Sequence, residues 1–167
     1  MPQPVAMDLI TATLSVAAAL TSAVAAPPTS GPPDQGPAQW PVTPASVVRP
    51  YETTTWYGPG HRGVDLDAEP GERVRATLPG RVTVAGAVAG RPVVVVLHRG
   101  QLRTTYLPVH PQVAVGERVS GGQVIGVVSA PPHCADGCLH WGARDDGGYL
   151  DPLSLLRSRS VVLLPGP

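Results

Sequence analysis

The sequence predicts a mainly β domain with tight turns and little helix. Three observations carry that reading. Short Val-rich runs recur at close, regular spacing and are separated by Gly and Pro, the pattern of strands joined by tight turns. One run, Val93-Val94-Val95-Val96-Leu97, is continuous and β-branched, as expected of a central strand buried on both faces. No stretch before Asp151 shows convincing helical periodicity.

Taken in order, the 167 residues leave room for one domain of ordinary size plus extras. Leu9 to Ala26 is apolar, small and uncharged, and Ala23-Val24-Ala25 reads as an A-x-A cleavage site. The segment before it carries Asp8 and no basic residue, which departs from a basic n-region. Residues 1–26 are therefore taken as a signal peptide, with an uncleaved membrane anchor as the alternative. Residues 27–45 are rich in Pro, Gly, Ser and Gln; they bury too little apolar surface to offset ordering and read as a flexible spacer. Trp40 is the first residue expected to pack.

Residues 46–157 hold the β domain. Its expected strands include Arg81 to Ala85, Pro92 to His98, Leu102 to Leu107 and Gln123 to Val128. Asp151-Pro152-Leu153-Ser154-Leu155-Leu156 predicts one short helix, with Asp151 as N-cap and Pro152 at the first helical position. Residues 158–167 read as a loose tail. Gly71-Glu72-Arg73-Val74 recurs as Gly116-Glu117-Arg118-Val119, which two related β units facing each other would explain.

Composition excludes several functions. The formal net charge is zero, so neither the basic field of a nucleic-acid binder nor a polyacid tail is present. Every basic residue is Arg, and Lys is absent. That removes Schiff-base chemistry, a Walker lysine, and biotinyl or lipoyl attachment.

Two segments carry candidate chemistry. In His61-Arg62-Gly63-Val64-Asp65, His and Asp would share one face of an extended strand, and imidazole nitrogen with carboxylate oxygen is a normal zinc pair. In Cys138-Leu139-His140-Trp141, alternation separates Cys138 and His140 from Leu139 and Trp141. Taken singly, each segment equally suits an ordinary surface pair or a hydrogen-bonded structural His.

Together, His61-x-Gly63-x-Asp65, the Val-rich body with Val119-x-x-Gly122-x-x-Ile125-Gly126, and Leu139-His140-Trp141 resemble the LytM/lysostaphin-type zinc metallopeptidases of family M23. The likeness runs from about Tyr57 to Leu156, with further support from Gly80-Arg81-Val82, Thr105-Tyr106 and Tyr149-Leu150-Asp151-Pro152. It implies a compact antiparallel β-sheet core, and action on peptidoglycan peptides outside the cytoplasm. It implies a zinc ion on His61, Asp65 and His140. Three protein ligands leave a fourth position for water, whose pKa zinc lowers to about 7.

The departures from the family are equally specific. The family's catalytic His in Tyr-x-His-Leu falls on Pro108 of Tyr106-Leu107-Pro108-Val109, and the first His of His-x-His falls on Cys138. Losing a general acid/base costs roughly 10²–10⁴-fold in rate, and losing an oxyanion donor costs about 10²–10³-fold. His110, two residues after Pro108, and His133, in the loop before Cys134, are the candidate substitutes. Cys134 and Cys138 have three readings: a disulfide, metal ligands, or a free thiol beside the zinc. Export favours the disulfide. Arg62 and Tyr106 are candidate substrate-binding residues, Arg62 through peptide carboxylates. Trp56 and Tyr57 are candidate groove residues. The expectation is an exported, monomeric domain that acts as a zinc endopeptidase of the cell wall. The alternative is a non-catalytic relative that binds wall or regulates a wall hydrolase.

Overall fold

The Val-rich runs form antiparallel sheets in the computed structural model, which describes residues 36–53, 58–131, 133–134 and 137–157. Among the described residues the strands are β1 (Val47–Arg49), β2 (Glu52–Thr53), β3 (Gly60–His61), β4 (Gly63–Asp67), β5 (Arg73–Arg75), β6 (Gly80–Val88), β7 (Arg91–Leu97), β8 (Arg103–Leu107), β9 (Val109–Pro111), β10 (Arg118–Val119), β11 (Val124–Val128), β12 (Cys138–Asp145) and β13 (Gly148–Leu150). A four-residue helix, α1 (Leu153–Leu156), follows them. An eight-stranded sheet runs β1-β4-β12-β8-β7-β6-β10, with β13 also paired to β12. A three-stranded sheet runs β5-β11-β9, and β2 pairs β3.

Side-chain alternation gives the large sheet two unlike faces. Val64 and Leu66 on β4, Leu139 and Trp141 on β12, Tyr106 on β8, and Val94 and Val96 on β7 are all fully buried. Register aligns them, with Trp141 paired to Val64 on one side and Tyr106 on the other. Val74, Val109, Ile125 and Val128 from the smaller sheet join the same cluster. Each fully buried large apolar side chain contributes about 1.5–3 kcal/mol, so this face holds the sheet together. The intervening positions, Gly63, Asp65, His140, Gly142, Thr105 and Val95, belong to the opposite face by the same alternation.

The recurring Gly-Glu-Arg-Val segments are structural counterparts. Gly71 has φ +92° and Gly116 has φ +90°, values that suit glycine at the third position of a type II turn. In each turn the Glu N–H donates back to the first residue, Glu72 to Glu69 O at 3.0 Å and Glu117 to Ala114 O at 3.1 Å. In each, the Glu carboxylate accepts the first residue's own amide. The turns also clasp each other's units. Gly71 N–H donates to Val128 O and Val128 N–H to Glu72 O, while Gly116 N–H donates to Val82 O and Val82 N–H to Glu117 O.

The structure corrects the expected layout in two places. Val93–Leu97 is central, but its second face is only partly buried: Val94 and Val96 are fully buried on one face, whereas on the other Val93 is buried and Val95 and Leu97 are half-buried. The spacer ends earlier than residue 45. Val42 lies in the core at 0% exposure, Gln39 N–H donates to Thr77 O, and Pro41 O accepts from Arg75 N–H. Trp40 packs against Trp141 in a tilted arrangement, with ring centroids 6.2 Å apart. Asp151 caps α1 as expected, its Oδ1 accepting the Leu153 amide at 3.0 Å. Residues 1–26 and 158–167, with Trp56 and Tyr57, lie outside the described residues. Among the described residues no helix is long and apolar enough to cross a membrane.

Candidate metal centre

Strand pairing builds the site. β4 and β12 are antiparallel neighbours, and their register sets Asp65 directly beside His140. His61 arrives from β3, separated from β4 only by Arg62. Gly63 makes room for them: a Cβ there would sit 2.7 Å from His140 Nε2 and 2.5 Å from the Trp141 carbonyl oxygen. The glycine of His-x-Gly-x-Asp is thus a packing requirement of the His140 ring.

Three donor atoms converge. His61 Nε2 is 3.0 Å from Asp65 Oδ1 and 3.0 Å from His140 Nδ1, which is itself 2.8 Å from Asp65 Oδ1. His61 and Asp65 are buried, at 6% and 1% exposure. The tautomer of His61 is fixed from outside. Its Nδ1 lies 2.7 Å from Pro50 O, and a carbonyl only accepts, so Nδ1 carries the proton. In the neutral ring, Nε2 then turns a lone pair toward a carboxylate oxygen, which is also an acceptor. A proton or a metal cation between the atoms reconciles the two, and imidazole with carboxylate is a donor set that suits a metal. Ligands at 2.0–2.1 Å from a tetrahedral zinc lie about 3.3 Å apart, close to the spacing here. The outer carbonyl on His61 is the usual support for a metal-bound imidazole. Burial pushes the Asp65 carboxyl up, but the His140 hydrogen bond and charge, with the charges of His61 and His133, outweigh it and hold the group below its ordinary value.

His133 completes a group of four. The ligand atoms of His61, Asp65, His133 and His140 all lie within 4.8 Å of one another. His133 Nε2 is 3.8 Å from Asp65 Oδ1, and its ring is 5.1 Å from that of His140. Its Nδ1 is 3.2 Å from Arg91 Nη1. Burial lowers the His133 pKa; Asp65 opposes this, and the positive neighbours His140, Arg91 and His61 reinforce it. The second substitute, His110, is not brought in: it is exposed on β9, in the smaller sheet. Pro108 is buried and lines a small cavity of about 110 Å³ that also touches Arg91 and His133.

Cys134 and Cys138 form a disulfide with Cα atoms 5.4 Å apart. Cys134 Sγ lies 3.7 Å from Asp65 Oδ2, but oxidised sulfur offers no thiolate, so the metal-ligand and free-thiol readings fall away. The bond ties the residue after His133 to the strand that carries His140.

Clefts open on both sides of the donors. One of about 370 Å³ is lined by Arg62, Arg103, Thr105, His140, Gly142 and Arg144, among others. Another, of about 340 Å³, lies over Arg49, Asp65, Asp67, His133 and Cys134. Arg62 is half-buried, donates Nη2–H to Gly58 O at 3.0 Å, and lies 5.4 Å over the Tyr149 ring. Tyr106, expected to contact substrate, does not reach either cleft. Alternation points it into the core, where it is fully buried and its hydroxyl binds Thr77 and Thr104. Sequence reasoning missed Pro50, Arg91 and Arg103. Only Arg103 left a signal there: it sits two residues before Thr105 on a strand, and so shares its face.

The sequence profile of Peptidase family M23 matches residues 59–152. The Mycobacterium tuberculosis protein Rv2891 is 47% identical over 135 residues, covering 75% of this chain and 54% of its own length. The chain therefore spans about half of that relative. The DD-carboxypeptidase/endopeptidase Mpg of Neisseria meningitidis serogroup B is 32% identical over 108 residues, or 64% of this chain and 24% of Mpg. Among solved structures, Helicobacter pylori Csd3 superposes with a TM-score of 0.63 at 25% identity, over 77% of this chain and 37% of Csd3. The catalytic domain of the antimicrobial peptidase lysostaphin from Staphylococcus simulans gives 0.56 at 25% identity, over 68% and 90%. The profile spans more than half of the chain, one relative is nearly half identical across three quarters of it, and the lysostaphin domain shares its antiparallel fold: the chain belongs to peptidase family M23.

Proposed function

We propose that this domain is an exported, zinc-dependent peptidase acting on peptidoglycan peptides, with His61, Asp65 and His140 holding the metal. The observation that carries the reading is the inward lone pair of His61, set by the Pro50 carbonyl and facing Asp65 and His140 at 3.0 Å. When bound, zinc supplies a nucleophilic water near neutrality and polarises the scissile carbonyl. The protein's own residues do the rest. Asp65 on β4, His140 on β12 and His61 on β3 present the three donor atoms. Gly142 keeps the floor of the adjoining cleft low beside them, so an extended peptide can lie against it. Arg62, Arg103 and Arg144 line the adjoining cleft and suit carboxylates of a wall stem peptide. Mpg and lysostaphin, both named as peptidases, support the reaction class. The disulfide supports export, since such bonds persist in oxidising compartments. The zero net charge gives no footing for nucleic acid.

A non-catalytic wall-binding role is the second reading. It is favoured by Pro108 and by the disulfide-locked Cys138, which stand where the family's assisting histidines are expected. One experiment separates the two. Purified protein should bind one zinc per chain and release peptides from isolated peptidoglycan. Zinc binding without release from any peptidoglycan type would leave the second reading; an absence of zinc binding would remove the metal centre itself.

A further inference from the structure

Pro108 removes one histidine from this site, and the loop before β12 brings another. We propose that His133, held by Arg91, is a catalytic hydrogen-bond donor: its Nε2–H binds the substrate carbonyl oxygen as negative charge develops there. The proposal rests on the zinc reading above.

Position comes first. His133 Nε2 stands 3.8 Å from Asp65 Oδ1, too far for a hydrogen bond. It belongs to the group of four whose donor atoms lie within 4.8 Å of one another. It also shares a cavity with Pro108 and Arg91. The place left empty of a donor at the end of β8 is thus approached from the β11–β12 connection instead. The Cys134–Cys138 disulfide restrains that approach from the very next residue.

The tautomer decides the role. A guanidinium has only donors and keeps its charge. Arg91 Nη1 at 3.2 Å therefore donates to His133 Nδ1, which must hold the lone pair. The ring proton sits on Nε2, the atom facing the donor group. His61 is the mirror case: a carbonyl outside it takes the Nδ1 proton and leaves the lone pair inside. One outer partner makes a ligand and the other makes a donor. Acting as a fourth ligand, His133 would need its proton on Nδ1, directly against the Arg91 N–H.

The test reads metal, anion and tautomer separately in zinc-loaded full-length protein. A phosphinic dipeptide presents a tetrahedral anion to the metal without being cleaved. His133→Ala should weaken its binding, measured by calorimetry, by about 10²-fold, the usual effect of losing one oxyanion donor. Zinc affinity should stay nearly unchanged. His133→Gln retains an N–H and should recover most of the affinity. The ¹⁵N spectrum of the imidazoles should show His133 protonated at Nε2 and His61 at Nδ1. Arg91→Ala should mix the His133 tautomers, marking Arg91 as a positioning residue. The proposal is overturned by unchanged phosphinate binding in His133→Ala. It is equally overturned if zinc affinity falls by the 10–100-fold or more expected for a ligand or its close support, or if His133 is protonated at Nδ1. Wild-type protein that takes up no zinc sinks the underlying reading together with this one. His133-dependent phosphinate binding in an enzyme that cleaves nothing sinks only the hydrolysis.

Discussion

Two polar clusters lie on opposite faces of the large sheet, and they are built differently. On the core face Thr77, His98, Thr104 and Tyr106 are all buried. Pro79 O takes the His98 Nδ1 proton at 2.9 Å, and His98 Nε2 meets the Thr104 hydroxyl at 2.7 Å. The Tyr106 hydroxyl lies 2.9 Å from Thr104 Oγ1 and 3.1 Å from Thr77 Oγ1, and accepts the Thr77 amide at 2.9 Å. Every donor there has an acceptor. On the other face His61, Asp65 and His140 crowd three donor atoms to within 2.8–3.0 Å of one another, and the His61 Nδ1 proton is already committed to Pro50 O. A fully satisfied buried network specifies structure, whereas converging imidazole and carboxylate donors suit a bound cation. The difference separates scaffold from site without reference to any relative.

The sharpest way to break that comparison is to remove one member from each side. Asp65→Ala should abolish stoichiometric zinc binding and with it the thermal stabilisation that zinc gives the wild type. In chelator the same change should cost folding stability only on the scale of the lost hydrogen bond to His140. Tyr106→Phe should do the reverse. It leaves the buried Thr77 amide unpaired, at about 1–3 kcal/mol, with zinc stoichiometry unchanged. Calorimetric melting with and without zinc reads both variants. A large loss of metal-free stability in Asp65→Ala would show that the site cluster is structural after all.

Next in size is the cleft beside His140. Arg103 and Arg144 are cross-strand partners on β8 and β12, a like-charge pairing that is unfavourable alone and suits an anion. Among the described residues neither makes a salt bridge to a carboxylate. Replacing both with Ala should raise KM for carboxylate-bearing wall peptides by about tenfold, the scale of one charge-assisted hydrogen bond. Amidated peptides should be little affected. An equal loss for both peptide classes would point to misfolding of β8 and β12 rather than to recognition.

How much of this was legible depends on whether the contact is local. His61-x-Gly63-x-Asp65 lies within one short segment, and its extended spacing puts both candidate ligands on one face. His140 was legible because Leu139 and Trp141 mark the opposite face as core. Tyr106 was misread because its direction depends on register: it pairs with Trp141, not with His140, and no local pattern encodes which residue of β12 it meets. Val42 was lost to composition, since it lies between Pro41 and Thr43-Pro44 in a stretch read as spacer. The pairing of Arg91 with His133 joins residues 42 apart through an irregular loop. Nothing in either segment announces it.

The smallest expected effect concerns His98, and it tests whether the core cluster is as settled as its geometry says. Burial lowers the His98 pKa below its ordinary 6.5, with the Pro79 hydrogen bond opposing. The folded chain therefore keeps this ring neutral where the unfolded chain begins to protonate it. Below about pH 6.5 the unfolded state binds more protons, so acid favours unfolding. His98's contribution is fully present above 6.5 and is lost as pH falls from there toward the depressed folded value. In metal-free protein, where zinc cannot contribute its own pH dependence, a His98→Gln variant should show a flatter stability profile between pH 5 and 6.5. Its profile should run parallel to wild type above that range. Denaturant midpoints measured across the range decide it. A wild-type slope that survives in His98→Gln would move the acid sensitivity to the histidines of the metal site, and would mean that the two faces are not electrostatically separate.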